Sequence, residues 1–134
     1  MPDRTLDIKK VPISDRLLAD MMEVAESDAI DGWADIVVFT KTEDPAMYKM
    51  ELIDMQEEDQ DEPSHHTVDI DTILRGVQLI LNLDLPNPFD GDNSAMPMIK
   101  MWILSSVYND DTSMFDTDCA DAVIQYALFG ELVY

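Results

Sequence analysis

The sequence predicts a single α+β domain, with about four helices packed on a small three-stranded, mainly antiparallel sheet. Three observations indicate this class. Apolar residues recur at helical spacing in four segments, two strand-like segments flank a turn, and a short strand-like segment follows the last helix. Because 134 residues is an ordinary length for one domain, we assign residues 1–134 to one acidic globular unit.

The first predicted elements are a helix and a β-hairpin. Ser14 is a favourable N-cap for a helix over residues 14–28, whose leucines and methionines recur at helical spacing. Gly32 ends that helix, and the β-branched and aromatic residues of 33–40 favour a strand. A second strand is predicted from the alternation of apolar and polar residues in 48–53, so the two strands pair as a hairpin.

A mobile loop, a helix and a second mobile loop are predicted next. Five carboxylates in six positions resist compaction, which favours a loop near residues 57–66. These carboxylates belong to Glu57, Glu58, Asp59, Asp61 and Glu62. Asp69 caps a helix that runs to about Leu81, and Gly76 inside it indicates close backbone packing. Prolines and Asx residues predict the second loop near 83–97.

The last predicted elements are two helices and a strand. Residues 98–108 form a helix that is apolar almost all round, so it lies in the core or is covered by a partner subunit. The residues assigned to such an oligomer interface are Met98, Met101 and Trp102. The final helix begins near Asp116 or Thr117 and ends at Gly130, and residues 131–134 are predicted to be the third strand of the sheet.

Charge limits the partners of the chain. Twenty-nine acids against eight bases give a formal net charge of −21, which repels phosphate backbones and anionic lipids. We therefore expect no direct binding to nucleic acid or membranes, and cationic partners instead. Residues 51–134 hold 18 acids and 2 bases, so the candidate partner-binding residues lie there. They are the five carboxylates of 57–62 together with Asp84, Asp90, Asp92, Asp110, Asp111, Asp116, Asp118 and Asp121.

Cysteine usage and hydropathy predict a cytoplasmic setting. Cys119 is the single cysteine, so no disulfide can form within the chain, and the first ten residues lack the apolar core of a secretion signal. No apolar run approaches the ~18 residues that a membrane-spanning helix requires.

The sequence shows no pattern typical of an enzyme, a metal centre or a cofactor site. His65 and His66 are adjacent, so they make a poor metal pair and are predicted to be solvated in a loop. The loops rich in Asp and Asn do not match EF-hand spacing, which leaves at most a weak cation site. We find no phosphate-binding glycine loop and no nucleophile elbow. We expect no catalysis and no cofactor.

Three segments carry a resemblance: GWAD, DTILRGVQLIL and DTDCADAVIQYALFGELVY. They resemble small acidic proteins of phages and mobile elements whose function is mostly unassigned, and the ending D-x-x-D-A-x-x-Q-x-A-L-F-G-E-x-x-Y is the most specific part. The resemblance implies a setting in which small acidic proteins often counter host defence. It supplies no functional residues.

Size and charge together favour nucleic-acid mimicry. A compact chain of this length has a diameter of roughly 36 Å, and duplex DNA of that length carries about 21 charges. The leading hypothesis is a nucleic-acid mimic that inhibits a basic nucleic-acid-binding host protein, as in anti-CRISPR or anti-restriction counter-defence. The alternatives are a non-catalytic acidic adaptor or oligomeric accessory protein of a phage or mobile element, and a domain adapted to high salt.

Overall fold

The structure is a computed structural model that describes residues 4–5, 12–30, 32–54, 65–83 and 96–131. In chain order its elements are strands β1 (Arg4–Thr5) and β2 (Pro12–Ile13), helix α1 (Asp15–Val24), strands β3 (Ala34–Thr40), β4 (Lys49–Asp54) and β5 (His65–Asp69), and helices α2 (Ile70–Leu81), α3 (Met96–Asn109) and α4 (Thr117–Phe129). Strands β1 and β2 pair as a separate short antiparallel ribbon. The four α-helices and the three-stranded antiparallel sheet confirm the predicted α+β class.

Helix α1 begins where the sequence predicts. The Leu17 N–H donates to the Ser14 hydroxyl at 3.1 Å, which satisfies one of the free donors of the first turn. Leu17, Leu18, Met21 and Met22 form its fully buried face. A π-helical turn, Ala25–Ala29, continues the helix, so the predicted helical segment changes geometry over its last residues.

The main sheet has the strand order β3-β4-β5, with every neighbouring pair antiparallel. Met50 and Leu52 of the central strand are buried beneath the helices, whereas Lys49 and Glu51 are exposed on the opposite face. This alternation is the period-two pattern of a sheet with one covered face. A bulge interrupts the pairing of β3 with β4 between Ile36 and Val38.

The third strand of the sheet is β5, whereas we predicted residues 131–134 in that place. Strand β5 contains His65 and His66, so the prediction that this pair lies in a loop is wrong. The strand forms because Val68 pairs with Met50 and both are buried, which outweighs the weak strand preference of the histidines. Glu131 lies in a bend after α4, and residues 132–134 lie outside the described residues.

The predicted loops are shorter than expected where they can be checked. Residues 65–66 belong to β5 and residues 96–97 to α3, so those ends of the loops predicted at 57–66 and 83–97 are wrong. The remainder of both loops lies outside the described residues, except Leu83, which follows α2. Lys100 of α3 donates to the Leu83 carbonyl at 2.6 Å and thereby links the two helices.

Helices α2 and α4 pack closely together at Gly76. A Cβ at this position would collide with the Val123 carbonyl group and would lie 2.9 Å from the Val123 Cγ1. Glycine is therefore required by backbone contact, as the sequence predicted. Asp69 forms a capping box with Thr72 at the start of α2, and Gly130 ends α4 with φ +79°.

Candidate partner-binding surface

Arg16 holds the start of α1 against the end of α3. Its Nη2 donates to the Asp110 carboxylate at 2.9 Å and to the Asp110 carbonyl at 3.0 Å, while Nη1 donates to Asp20 at 3.0 Å. The Ser14 hydroxyl donates to the other Asp110 carboxylate oxygen at 3.0 Å. We call Ser14, Arg16, Asp20 and Asp110 the Arg16 network. It positions a guanidinium between two carboxylates and a carbonyl oxygen.

Asp110 adopts a left-handed backbone conformation with φ +54° directly after α3. Aspartate tolerates this region better than most residues because its short side chain can bond locally. Here both its carboxylate and its carbonyl bind Arg16, so the conformation is fixed by contacts from another helix. Asp110 is thus already paired within the chain.

The acidic face of α1 lies beside Asp110. Burial raises the pKa of Asp20; the Arg16 guanidinium opposes this rise, and the charges of Glu23 and Asp110 add to it. Glu23 also binds Lys41 at 2.5 Å, and the hydrogen bond and charge of Glu23 raise the pKa of Lys41. These contacts place carboxylates from α1 and from the α3–α4 connection on one surface.

Carboxylates from the N-terminal and C-terminal parts of the sequence meet around Arg16. The sequence places the anionic field in the C-terminal part, yet Asp20 of α1 lies close enough to Asp110 for the two charges to interact. Sequence reasoning missed the role of Arg16. Its i,i+4 spacing to Asp20 could have indicated one ion pair, but nothing local could indicate the pairing with Asp110, 94 positions away.

Three predicted partner-binding residues are exposed on the connection between α3 and α4 and in the first turn of α4. Asp111 accepts from the Ser113 hydroxyl at 2.8 Å and from its N–H at 3.1 Å, and these bonds lower the pKa of Asp111. Asp116 is the N-cap of α4 and accepts from the Cys119 N–H at 2.9 Å. Asp118 is exposed in the first turn. All three present carboxylate oxygens to solvent.

Asp121, also a predicted partner-binding residue, makes packing contacts within the chain. It is half-buried, and one of its carboxylate oxygens accepts from Trp33 Nε1 at 2.7 Å and from Gln125 Nε2 at 2.9 Å. The Trp33 ring also meets Phe129 edge-on with centroids 5.7 Å apart, and His66 contacts Phe129 from β5. Asp121 fixes α4 to the segment before β3.

The segments that carry the resemblance meet in this part of the fold. Trp33 lies in GWAD, Gly76 in DTILRGVQLIL, and both contact the C-terminal segment, through Asp121 and Val123 respectively. These contacts position α2, β3 and α4 relative to one another. Trp33, Gly76, Asp121 and Val123 therefore contribute to packing.

The apolar surface of α3 is only partly covered. Ile99, Ile103 and Val107 face the core. Met98, Met101 and Trp102, the predicted oligomer interface, are half-buried, and Trp102 packs against the core. Tyr108 is 59% exposed. The helix is therefore neither central nor freely exposed.

The remaining candidate residues lie outside the described residues. They are Glu57, Glu58, Asp59, Asp61, Glu62, Asp84, Asp90 and Asp92. Within the described part of the chain, no group of three or more His, Cys, Asp or Glu side chains is arranged to hold a metal ion. Among the helices of that part, none has the length and apolar character needed to cross a membrane.

Comparison of the chain with protein-family models, curated proteins and solved structures gave no match. The resemblance to phage and mobile-element proteins therefore stays a prediction.

Proposed function

We propose that this chain is an acidic nucleic-acid mimic that inhibits a basic nucleic-acid-binding protein of a host, as part of counter-defence by a phage or mobile element. The observation that carries the proposal is the net charge of −21, together with the α+β fold that the described residues form. An ordered fold can hold carboxylates in fixed positions, as phosphates are held along a duplex. The protein acts by binding, without catalysis.

The exposed carboxylates of Asp111, Asp116 and Asp118 are the described part of the proposed docking surface. Asp111 adjoins the Arg16 network, where two carboxylates and a carbonyl already bind a guanidinium. Arginine and lysine side chains in a nucleic-acid groove would find similar ligands here. The field of the whole chain adds long-range attraction, which raises the association rate.

The experiment starts from the immobilised chain and a host lysate. A captured protein is purified and its binding to duplex DNA is measured by gel shift with and without the chain. We expect the chain to displace the DNA from the captured protein. Displacement that fails, or direct binding of the chain alone to duplex DNA at low salt, would overturn the proposal.

Matched charge variants locate the docking surface. The test variant carries Asp111→Asn, Asp116→Asn and Asp118→Asn; asparagine keeps an oxygen for the Ser113 bond and is a good N-cap. The control removes the same charge elsewhere, through Asp35→Asn, Glu43→Gln and Glu51→Gln, all at exposed positions. We expect the test variant to associate more slowly than the control. Equal rates would remove these three residues from the docking surface.

A second candidate is a non-catalytic adaptor or oligomeric accessory protein that assembles through α3. The exposed Tyr108 and the half-buried Met98, Met101 and Trp102 favour it. This function requires that the chain forms an assembly, that Tyr108→Lys dissociates this assembly, and that the chain does not displace DNA from a captured protein.

A further inference from the structure

The Arg16 network is a place where the chain binds a guanidinium group of its own. Arg16 Nη2 donates to the carboxylate and to the carbonyl of Asp110, and Nη1 donates to the Asp20 carboxylate. The three oxygens come from two parts of the fold, the first turns of α1 and the residue after α3. One planar guanidinium has enough donors to bind all of them at once. These contacts indicate which side chain the surface can hold.

Two contacts besides Arg16 hold Asp110 in place. The Asp111 N–H donates to the Ser106 carbonyl at 3.2 Å, which is the closing bond of a Schellman motif at the end of α3. Asp110 takes the left-handed position of this motif, where glycine is the usual residue. The Ser14 hydroxyl donates to its carboxylate at 3.0 Å. Asp110 therefore keeps both supports when Arg16 leaves.

The Arg16 side chain is accessible to a competing cation. It is 55% exposed, and the Asp110 side chain that it binds is 56% exposed. Exposed ion pairs are weak because water and salt screen them, so a second guanidinium can replace Arg16 at little cost. Residues 101–134 include no lysine or arginine, so no other base of this part of the sequence repels an incoming one.

We propose that Arg16 is a built-in competitor for an arginine of the partner: it occupies the oxygens of Asp110 in the unbound chain and leaves them when a partner arginine binds. The proposal rests on the proposed function and adds a regulatory contact to its docking surface. Arg16 lowers the affinity for any protein that uses this position, because that protein must first displace it. An arginine restores the lost bonds, whereas a lysine ammonium is a point charge that cannot reproduce the fork.

Fluorescence anisotropy with labelled hexa-arginine tests the competition without a host protein. The assay uses ~0.1 M salt, at which charges more than ~10 Å apart are largely screened. Arg16→Ala should bind the peptide about 2–5-fold more tightly than the wild type, the range that corresponds to the release of exposed ion pairs. Arg75→Ala is the matched control, because it removes the same charge from an exposed position of α2. Equal affinities of the two variants, both folded by circular dichroism, would overturn the proposal.

Asp110→Gly shows whether the gain arises at this position. Glycine takes the left-handed conformation without strain and removes the carboxylate alone. Adding Arg16→Ala to Asp110→Gly should therefore raise the affinity no more than Arg75→Ala does. A full gain in the double variant would mean that Arg16 acts through net charge, and would reject the competition. Hexalysine should gain less than hexa-arginine from Arg16→Ala, and equal gains would reject a site for guanidinium.

The proposed function and the competition can fail separately. A wild type that does not displace DNA from the captured protein refutes the proposed function, and the peptide assay then decides by itself whether Arg16 competes with a guanidinium. When the wild type does displace DNA, Arg16→Ala should do so at a lower concentration than Arg75→Ala. Equal concentrations would refute the regulatory role of Arg16 and leave the proposed function standing.

Discussion

Replacing Asp121 by alanine tests whether this carboxylate is structural. The side chain receives two hydrogen bonds on one oxygen, from Trp33 Nε1 and from Gln125 Nε2. Gln125 is fully buried and Trp33 is 3% exposed, so water cannot readily replace the lost acceptor for either donor. The matched control is Asp118→Ala, three positions earlier on the same helix and exposed.

The expected loss can be estimated from these contacts. A hydrogen bond to a charged group contributes about 1.5–3 kcal/mol to stability. Two bonds that share one oxygen do not add in full. We therefore expect Asp121→Ala to lower the free energy of unfolding by about 3 kcal/mol. For a domain of this size that corresponds to a fall in Tm of roughly 9–15 °C. Asp118→Ala should cost only ~0.3–1 kcal/mol, from the lost interaction with the helix N-terminus.

Thermal and urea unfolding followed by circular dichroism measure the difference. Asp121→Asn keeps an acceptor oxygen, so it should retain most of the stability that the alanine variant loses. The structural role would be refuted if Asp121→Ala and Asp118→Ala were equally stable. It would also be refuted if the asparagine variant were as unstable as the alanine variant.

Four further outcomes are expected. Gly76→Ala should destabilise the fold by about 2 kcal/mol, since overpacking against the Val123 backbone exceeds the ~1 kcal/mol gained in helix propensity. Gly32→Ala, whose added Cβ meets nothing within 4 Å, is the control in the same melts, and equal Tm values would contradict the close contact. Burial raises the pKa of Cys119 to about 12, so its thiol should react slowly with Ellman's reagent at pH 8 and rapidly in urea; rapid native labelling would contradict this burial. The protonated Cys119 thiol contributes its full stability below its ordinary pKa of 9.0, and this contribution is lost as the pH rises towards about 12. Cys119→Ala should therefore show a smaller fall in Tm at alkaline pH than the wild type. Tm should rise between low salt and ~0.3 M, where the Debye length falls below ~6 Å, and a flat profile would mean that the carboxylates are already compensated.

The parts of the fold that sequence predicts correctly have local signals. Helix α2 follows a capping residue, Asp69, and has a regular apolar pattern, and α4 ends at Gly130 because glycine takes a left-handed conformation without strain. The hairpin of β3 and β4 follows from alternation around a turn. Strand β5 was missed because its burial depends on Val68 meeting Met50, a pairing that the five residues of the strand do not encode by themselves.

The candidate surface was less predictable, because the position of an acidic residue in the sequence does not indicate which groups its carboxylate binds in the fold. An aspartate in the first turns of a helix can face solvent, as Asp118 does, or accept bonds from a tryptophan far away in the sequence, as Asp121 does. Both have the same local pattern. The sequence could locate the carboxylates but could not separate those used for packing from those free to bind a partner.

The Arg16 network has a consequence for the kinetics of folding. Strands β3, β4 and β5 pair in chain order and lead directly into α2, so these contacts can form after short loop closures. The link between Arg16 and Asp110 closes a span of 94 positions and requires α1 and α3 to be in place already. We therefore expect this link to be absent from the transition state for folding, so that its loss leaves the folding rate nearly unchanged and speeds unfolding. The network then acts mainly on the lifetime of the native protein.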